Sequence, residues 1–175
     1  MKYLKGTQDL HVVYTRTTET IHIKTYSDAE YASDKENRRS RTGYAIQVLG
    51  GLVSWQSKSQ QTIATSTTEA EYQATFVAIK EHLWIRNLLK QLLNPRQVKV
   101  TILIDNQSTL RLLKTPHSVT RAKHIDVQHH FIREQAMRNE VDMEYCGTKK
   151  NLGSPSDKTS TNQQILSMCR IVRNE

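Results

Sequence analysis

The run Ile21-His-Ile-Lys-Thr25 alternates apolar and polar side chains and leads into Tyr26-Ser-Asp28. Alternation of this kind turns one side of an extended chain to a core and the other to water. The stretch therefore reads as a strand with one apolar face, and Asp28 stands where it ends. What a carboxylate does there depends on what the rest of the chain brings to it. Two later places bring more acid. Thr67-Thr-Glu-Ala-Glu-Tyr72 heads a long helical pattern, and Thr101-Ile-Leu-Ile-Asp105 is a β-branched run that stops at an aspartate. Carboxylates at the C-terminal ends of two strands and in the first turn of a helix can converge on one point. Such a cluster suits a divalent metal.

The remaining segments decide whether that convergence is feasible. Val12-Val-Tyr14 reads as a short edge strand. Residues 43–50 and 52–56 read as two further strands joined at Gly50-Gly51, which is hairpin spacing. Ser66 with Glu69 three residues on has capping-box spacing. The helix that follows carries Ala70, Ala74, Val77, Ala78, Trp84, Ile85, Leu88 and Leu92 at helical spacing, read as core, and Asn94-Pro95 stops it. Val98 to Ile104 is a fourth strand whose balance of apolar residues suggests burial on both faces. Helices are expected over 105–114 and 120–138, the latter with Ile125, His129, Ile132 and Ala136 on one side. A fifth strand is expected over 141–145 and a final helical turn or two over 165–172.

The order β-β-β-α-β-α-β-α gives an α/β chain with a five-stranded mixed sheet, three strands antiparallel and then two parallel, flanked by helices. Right-handed crossover through the long helix sets the fourth strand parallel to the first and beside it. Asp28 and Asp105 then lie at the same end of neighbouring strands, in the crevice where open α/β sheets bind ligands.

At 175 residues one domain with a substantial core is expected. No apolar run reaches membrane-span length and the N-terminus has no signal-peptide pattern, so no membrane partner is expected. Two cysteines, Cys146 and Cys169, are too few for a disulfide framework or a zinc site. The formal charge of +8 fits a polyanionic partner. The basic residues cluster as Arg38, Arg39 and Arg41, as Arg111, Lys114, Arg121 and Lys123, and as Lys149 and Lys150. A merely solvated basic face is the alternative.

Seven motifs in series, over residues 1 to about 152, carry a resemblance. They are Tyr3-Leu-Lys-Gly-Thr7, Tyr26-Ser-Asp-Ala29, Arg39-Ser-Arg-Thr-Gly-Tyr44, Ser54-Trp-Gln-Ser-Lys58, Ser66-Thr-Thr-Glu-Ala-Glu-Tyr72, Ile104-Asp-Asn-Gln-Ser108 and Lys123-His-Ile-Asp-Val-Gln-His-His-Phe-Ile-Arg133. The chain resembles a ribonuclease H domain, and more narrowly that of copia-like LTR retrotransposon Pol polyproteins. The resemblance implies an RNase H-like fold, binding of an RNA–DNA hybrid, and metal-dependent hydrolysis of its RNA strand during reverse transcription. It implies two Mg²⁺ ions, with Mn²⁺ as a substitute, clamping the scissile phosphate.

By the same resemblance Asp28, Glu71 and Asp105 match three of four metal-binding carboxylates, with Asp28 the bridging one. The local reading agrees on Glu71 over Glu69, because the capping box explains Glu69 while Glu71 borders the apolar stripe. The plain alternatives are a solvent-facing helix glutamate for Glu71 and strand-end turn residues for the two aspartates. Asp34, Glu36, Asp126 and Glu134 read as surface charges. Ser27, Asn106 and Gln107 are candidates to read the 2′-hydroxyl that marks RNA, and Arg39, Arg41 and Lys123 to hold the backbones. Asn106 and Gln107 also suit a plain turn or helix cap.

Residues 1–18 are expected to be a linker or remnant of the connection to a preceding reverse transcriptase domain, with the RNase H domain over 19–175. Within it, 147–175 diverges from the family. The family's fourth carboxylate position holds Ser154, and the nearest acid is Asp157, three residues late with Pro155 between. The second metal is expected to bind weakly unless Asp157 swings in. A serine does not neutralise metal charge, so the alternative to an active enzyme is a weakened or inactive domain that binds nucleic acid or serves as a scaffold. A transposase or integrase core on the same fold fits the order of the carboxylates less well. The expected location is the cytoplasm, within a virus-like particle, or the nucleus.

Overall fold

Alternation in three successive segments builds an antiparallel meander. In the computed structural model, which describes residues 10–14, 20–93, 97–114, 123–138, 140–147 and 171–173, these strands are β2 (Thr20–Glu30), β3 (Arg41–Val48) and β4 (Gly51–Ser59). Helix α1 (Thr67–Leu93) then crosses over to β5 (Gln97–Ile104), which pairs parallel with β2 from Thr20↔Gln97 to Ser27↔Ile104. Helices α2 (Gln107–Lys114) and α3 (Lys123–Met137) lead to β6 (Asp142–Tyr145), parallel to β5. The five-stranded sheet has the order β4-β3-β2-β5-β6. It is the expected mixed sheet, three strands antiparallel and then two parallel.

Several details differ from expectation. Strand β2 runs to Glu30, so Asp28 lies inside it, opposite Gly43 of β3. It stands one residue beyond the last rung shared with β5. The hairpin turn is Leu49-Gly50, both at positive φ (54° and 85°), as two-residue hairpin turns of the right twist require. Gly51 opens β4 because a side chain there would strike Tyr14: a Cβ would lie 2.4 Å from the ring. The Tyr14 hydroxyl donates to the Leu52 carbonyl at 3.1 Å, which fastens the segment before β2 to the hairpin. That segment holds β1 (Leu10–Val12), which pairs antiparallel with β7 (Ile171–Arg173). The edge strand expected at 12–14 thus lies slightly earlier. Ile171 and Val172 are extended where a helical turn was expected, in keeping with the strand preference of β-branched residues. Residues 165–170 of that expected turn lie outside the described residues. So do 1–9, part of the expected linker.

The core lies mainly between the sheet and α1. Ile21, Ile23, Tyr44, Ile46 and Val48 pack under Ala78 and Ile85. Tyr72 and Ile79 join Val100, Ile102, Ile104, Leu113, Ile132, Val141 and Met143 on the β5–β6 side. Strand β5 is central and parallel as expected, but it alternates, with Thr101 and Leu103 only half-buried. The helix stripe also splits. Its buried face runs through Ala70, Glu71, Ala74, Thr75, Ala78, Ile79, His82, Ile85 and Arg86. Trp84 (60% exposed), Leu88 (38%) and Leu92 (68%) lie on another side of the helix and are not core. At 100° per residue Trp84 points about 200° from His82, so counting apolar residues had merged two faces. At the C-terminal end of the helix Arg86 makes an ion pair with Glu140 that ties α1 to the turn before β6.

Candidate active site

Three elements deliver one carboxylate each. Asp28 comes from β2, Glu71 from the first turns of α1, and Asp105 follows directly on β5. The parallel pairing of β2 and β5 puts the two aspartates at one end of adjacent strands, and α1 begins over that end. One oxygen from each carboxylate lies within 4.8 Å of the others. Asp28 and Glu71 are buried and Asp105 is half-buried.

Three acids this close repel one another. Burial first, then the charges of Asp28 and Asp105, push the Glu71 carboxyl up to about 9, and the Ala29 N–H offsets this only in part. Asp28 Oδ1 accepts from the same N–H at 2.9 Å. Glu71 Oε2 is buried without a hydrogen-bond partner. A buried oxygen lacking a donor, beside two more carboxylates, calls for positive charge at that point. The oxygen-only donor set is that of a hard divalent cation. The residues therefore fit such a metal.

The local structure explains each position. The Ser66 hydroxyl accepts the Glu69 N–H at 3.1 Å and caps α1. Glu69 folds back on Thr65, accepting from its N–H at 2.7 Å and its hydroxyl at 2.6 Å. That occupies Glu69 and leaves Glu71, two residues on, turned to the sheet. Beneath Glu71 a polar seam joins α1 to β2. The Thr75 hydroxyl donates to the Glu71 carbonyl at 2.9 Å and lies 3.2 Å from the Ser27 hydroxyl. Further down, Thr25 Oγ1 lies 2.5 Å from His82 Nδ1. Burial and the nearby Arg86 charge hold His82 down to about 4, so it is neutral in the core.

The proposed nucleic-acid contacts divide. Ser27 is fully buried against Thr75; it faces the helix and not a surface ligand, so the expectation that it reads a 2′-hydroxyl is corrected. Strand alternation explains this, since Ile21, Ile23, Thr25 and Ser27 share the face under α1. Asn106 Oδ1 accepts the Thr109 N–H at 3.0 Å and caps α2, while Gln107 is exposed. Arg39 and Arg41 are exposed near the carboxylate end of the sheet, where Arg41 stands opposite Glu30 in the backbone register of β2 and β3. Asp34 shapes the loop before them by accepting the N–H groups of Glu36 (2.9 Å) and Asn37 (3.3 Å). These bonds also lower its pKa. The Lys123 side chain, Ser154 and Asp157 lie outside the described residues. A cavity of about 1000 Å³ between α3 and β6, lined by Leu113, Arg133, Met137, Val141 and Met143 among others, does not include the carboxylates.

Sequence reading missed Thr75 and His82. The available signal was polar residues at 71, 75 and 82, which recur on one helix side, opposite a strand face that turns from Ile to Thr and Ser.

No protein-family model matches the chain. The Pol polyprotein of transposon TNT 1-94 from Nicotiana tabacum is 37% identical over 151 residues, covering 86% of this chain. That of transposon RE1 from Arabidopsis thaliana is 32% identical over 158 residues, covering 90%. The chain's homologues are Pol polyproteins of copia-like transposons. The chain spans 11% of the length of either relative. Its fold is that of ribonuclease H: LC11-RNase H1, solved in complex with an RNA/DNA hybrid, superposes with a TM-score of 0.51 over 75% of the Pol segment and 88% of that chain, at 17% identity.

Proposed function

We propose that this Pol segment is a ribonuclease H that cuts the RNA strand of RNA–DNA hybrids endonucleolytically during retrotransposon reverse transcription. The observation that carries the reading is the convergence of Asp28, Glu71 and Asp105. Family membership, the fold and the basic charge support it. Asp28, Glu71 and Asp105 would hold the metal, Mg²⁺ with Mn²⁺ as substitute. Bound there, a divalent ion supplies an activated water and neutralises charge at the scissile phosphate. The chain's own contribution is to fix three carboxylates on two strands and a helix, so that little reorganisation accompanies the reaction.

The substrate lies across the carboxylate end of the sheet. Arg39 and Arg41 would meet backbone phosphates there, and Gln107, exposed at the start of α2, would contact the RNA strand. In the same reading the segment before β2 connects to a reverse transcriptase domain of the polyprotein. The domain proper is residues 19–175, and the site of action is a cytoplasmic virus-like particle or the nucleus.

Ser154 favours a second reading, a hybrid-binding or scaffold domain with little turnover, because it stands where the resemblance implies a fourth carboxylate. Cleavage of labelled hybrid in Mg²⁺ and Mn²⁺ by the native chain and by Ser154→Asp separates the two. The enzyme reading expects cleavage by the native chain, better in Mn²⁺ than in Mg²⁺, and a gain of about tenfold or more in Mg²⁺ on Ser154→Asp. Hybrid bound but uncut by both proteins in both metals would leave the binding module.

A further inference from the structure

The polar seam under the carboxylates does more than fill the core. Thr75 touches the backbone of one proposed ligand and the neighbour of another. Its hydroxyl proton goes to the Glu71 carbonyl at 2.9 Å. A hydroxyl has one proton, so across the 3.2 Å contact with Ser27 it is Ser27 that donates and Thr75 that accepts. Ser27 directly precedes Asp28 in β2. Ser27, Thr75 and the Glu71 carbonyl thus form one directed chain, and both hydroxyl side chains are fully buried. It runs from the strand that carries Asp28 to the helix turn that carries Glu71.

We propose that Thr75 is a positioning residue that fixes the separation of Asp28 and Glu71 and thereby sets the affinity for divalent metal. The inference rests on the metal-site reading above. The physical reason is directional. Apolar packing between α1 and β2 tolerates small slides, whereas aligned hydrogen bonds in a dry interface hold one height. A shift of Glu71 along the helix axis opens the gap among three oxygens now within 4.8 Å. The Thr25–His82 contact, two residues back on the strand, holds the same pair of elements but touches neither ligand's backbone nor its immediate neighbour. It is the natural control.

The experiment is titration of the folded, metal-free protein with Mn²⁺, read by the signal of free Mn²⁺ in electron paramagnetic resonance, with melting temperature recorded in parallel. Thr75→Val keeps the shape and removes the hydroxyl. It should weaken Mn²⁺ binding about tenfold, and Thr75→Ser should restore it to within about twofold. Thr25→Val should lower the melting temperature without changing Mn²⁺ affinity. Should Thr75→Val not fold, Ser27→Ala breaks the same chain from the strand side and should weaken binding in the same direction. Mn²⁺ affinity unchanged in folded Thr75→Val or Ser27→Ala would overturn the proposal, as would an equal loss in Thr25→Val. A native chain with no Mn²⁺ binding that Asp28→Asn abolishes overturns the metal-site reading itself. That outcome is recognised before any seam variant is compared.

Discussion

At Glu71, burial and two neighbouring carboxylates act in the same direction. The folded, metal-free protein keeps a proton there up to about pH 9, whereas the unfolded chain releases it near 4.5. The folded state therefore binds more protons between those values. The stability this contributes is full below about pH 4.5 and is lost as pH rises toward 9. Glu71→Gln should flatten that slope and, at pH 8, stabilise the metal-free domain by on the order of 5 kcal/mol. Urea unfolding of both proteins from pH 5 to 9 measures it, and equal slopes would contradict the shift. Metal must displace the same proton, so Mg²⁺ affinity should rise with pH over the window. At this scale the sequence was informative wherever a residue's job is local. The spacing of Ser66 and Glu69 announced a helix cap, and that freed Glu71 for the sheet. Ser27 was misjudged because it stands next to the candidate ligand Asp28, although strand alternation turns it under α1.

Helix α1 shows what periodicity alone resolves poorly. The helix, its cap and its long extent were legible, as was its role as the crossover that sets β5 beside β2. Which apolar residues face inward was not, because a 27-residue helix with apolar residues on two sides offers two stripes. The difference is measurable. Ile79→Ala, in the core, should cost about 2–5 kcal/mol. Trp84→Gln, on the exposed side, should change stability by less than about 0.5 kcal/mol. Chemical denaturation of the two variants decides it, and a large loss at Trp84 would return that residue to the core. The hairpin between β3 and β4 was legible as a turn but misplaced by one residue. Gly51 is required by the Tyr14 ring rather than by the turn, and a contact with Tyr14 leaves no trace in local sequence.

Across the molecule, charge and topology converge. A formal charge of +8 suits a polyanionic partner, and exposed Arg39 and Arg41 lie at the carboxylate end. Hybrid binding should weaken steeply with salt, and Arg39→Ala or Arg41→Ala should each reduce the log–log salt slope by roughly one. Unchanged slopes would move the hybrid to another face. The order of elements was enough to derive the sheet, because crossover handedness leaves few alternatives. The short pairing of β1 with β7 was not legible, since it joins segments more than 150 residues apart with no local pattern to announce it.

The most direct test is cleavage of an end-labelled RNA–DNA hybrid in Mg²⁺ by the native chain beside Asp28→Asn. The native chain should release RNA fragments and the variant should cleave at least about a hundredfold less, more than the roughly 10- to 100-fold expected from losing a group that merely supports a ligand. Equal cleavage by both proteins would contradict it.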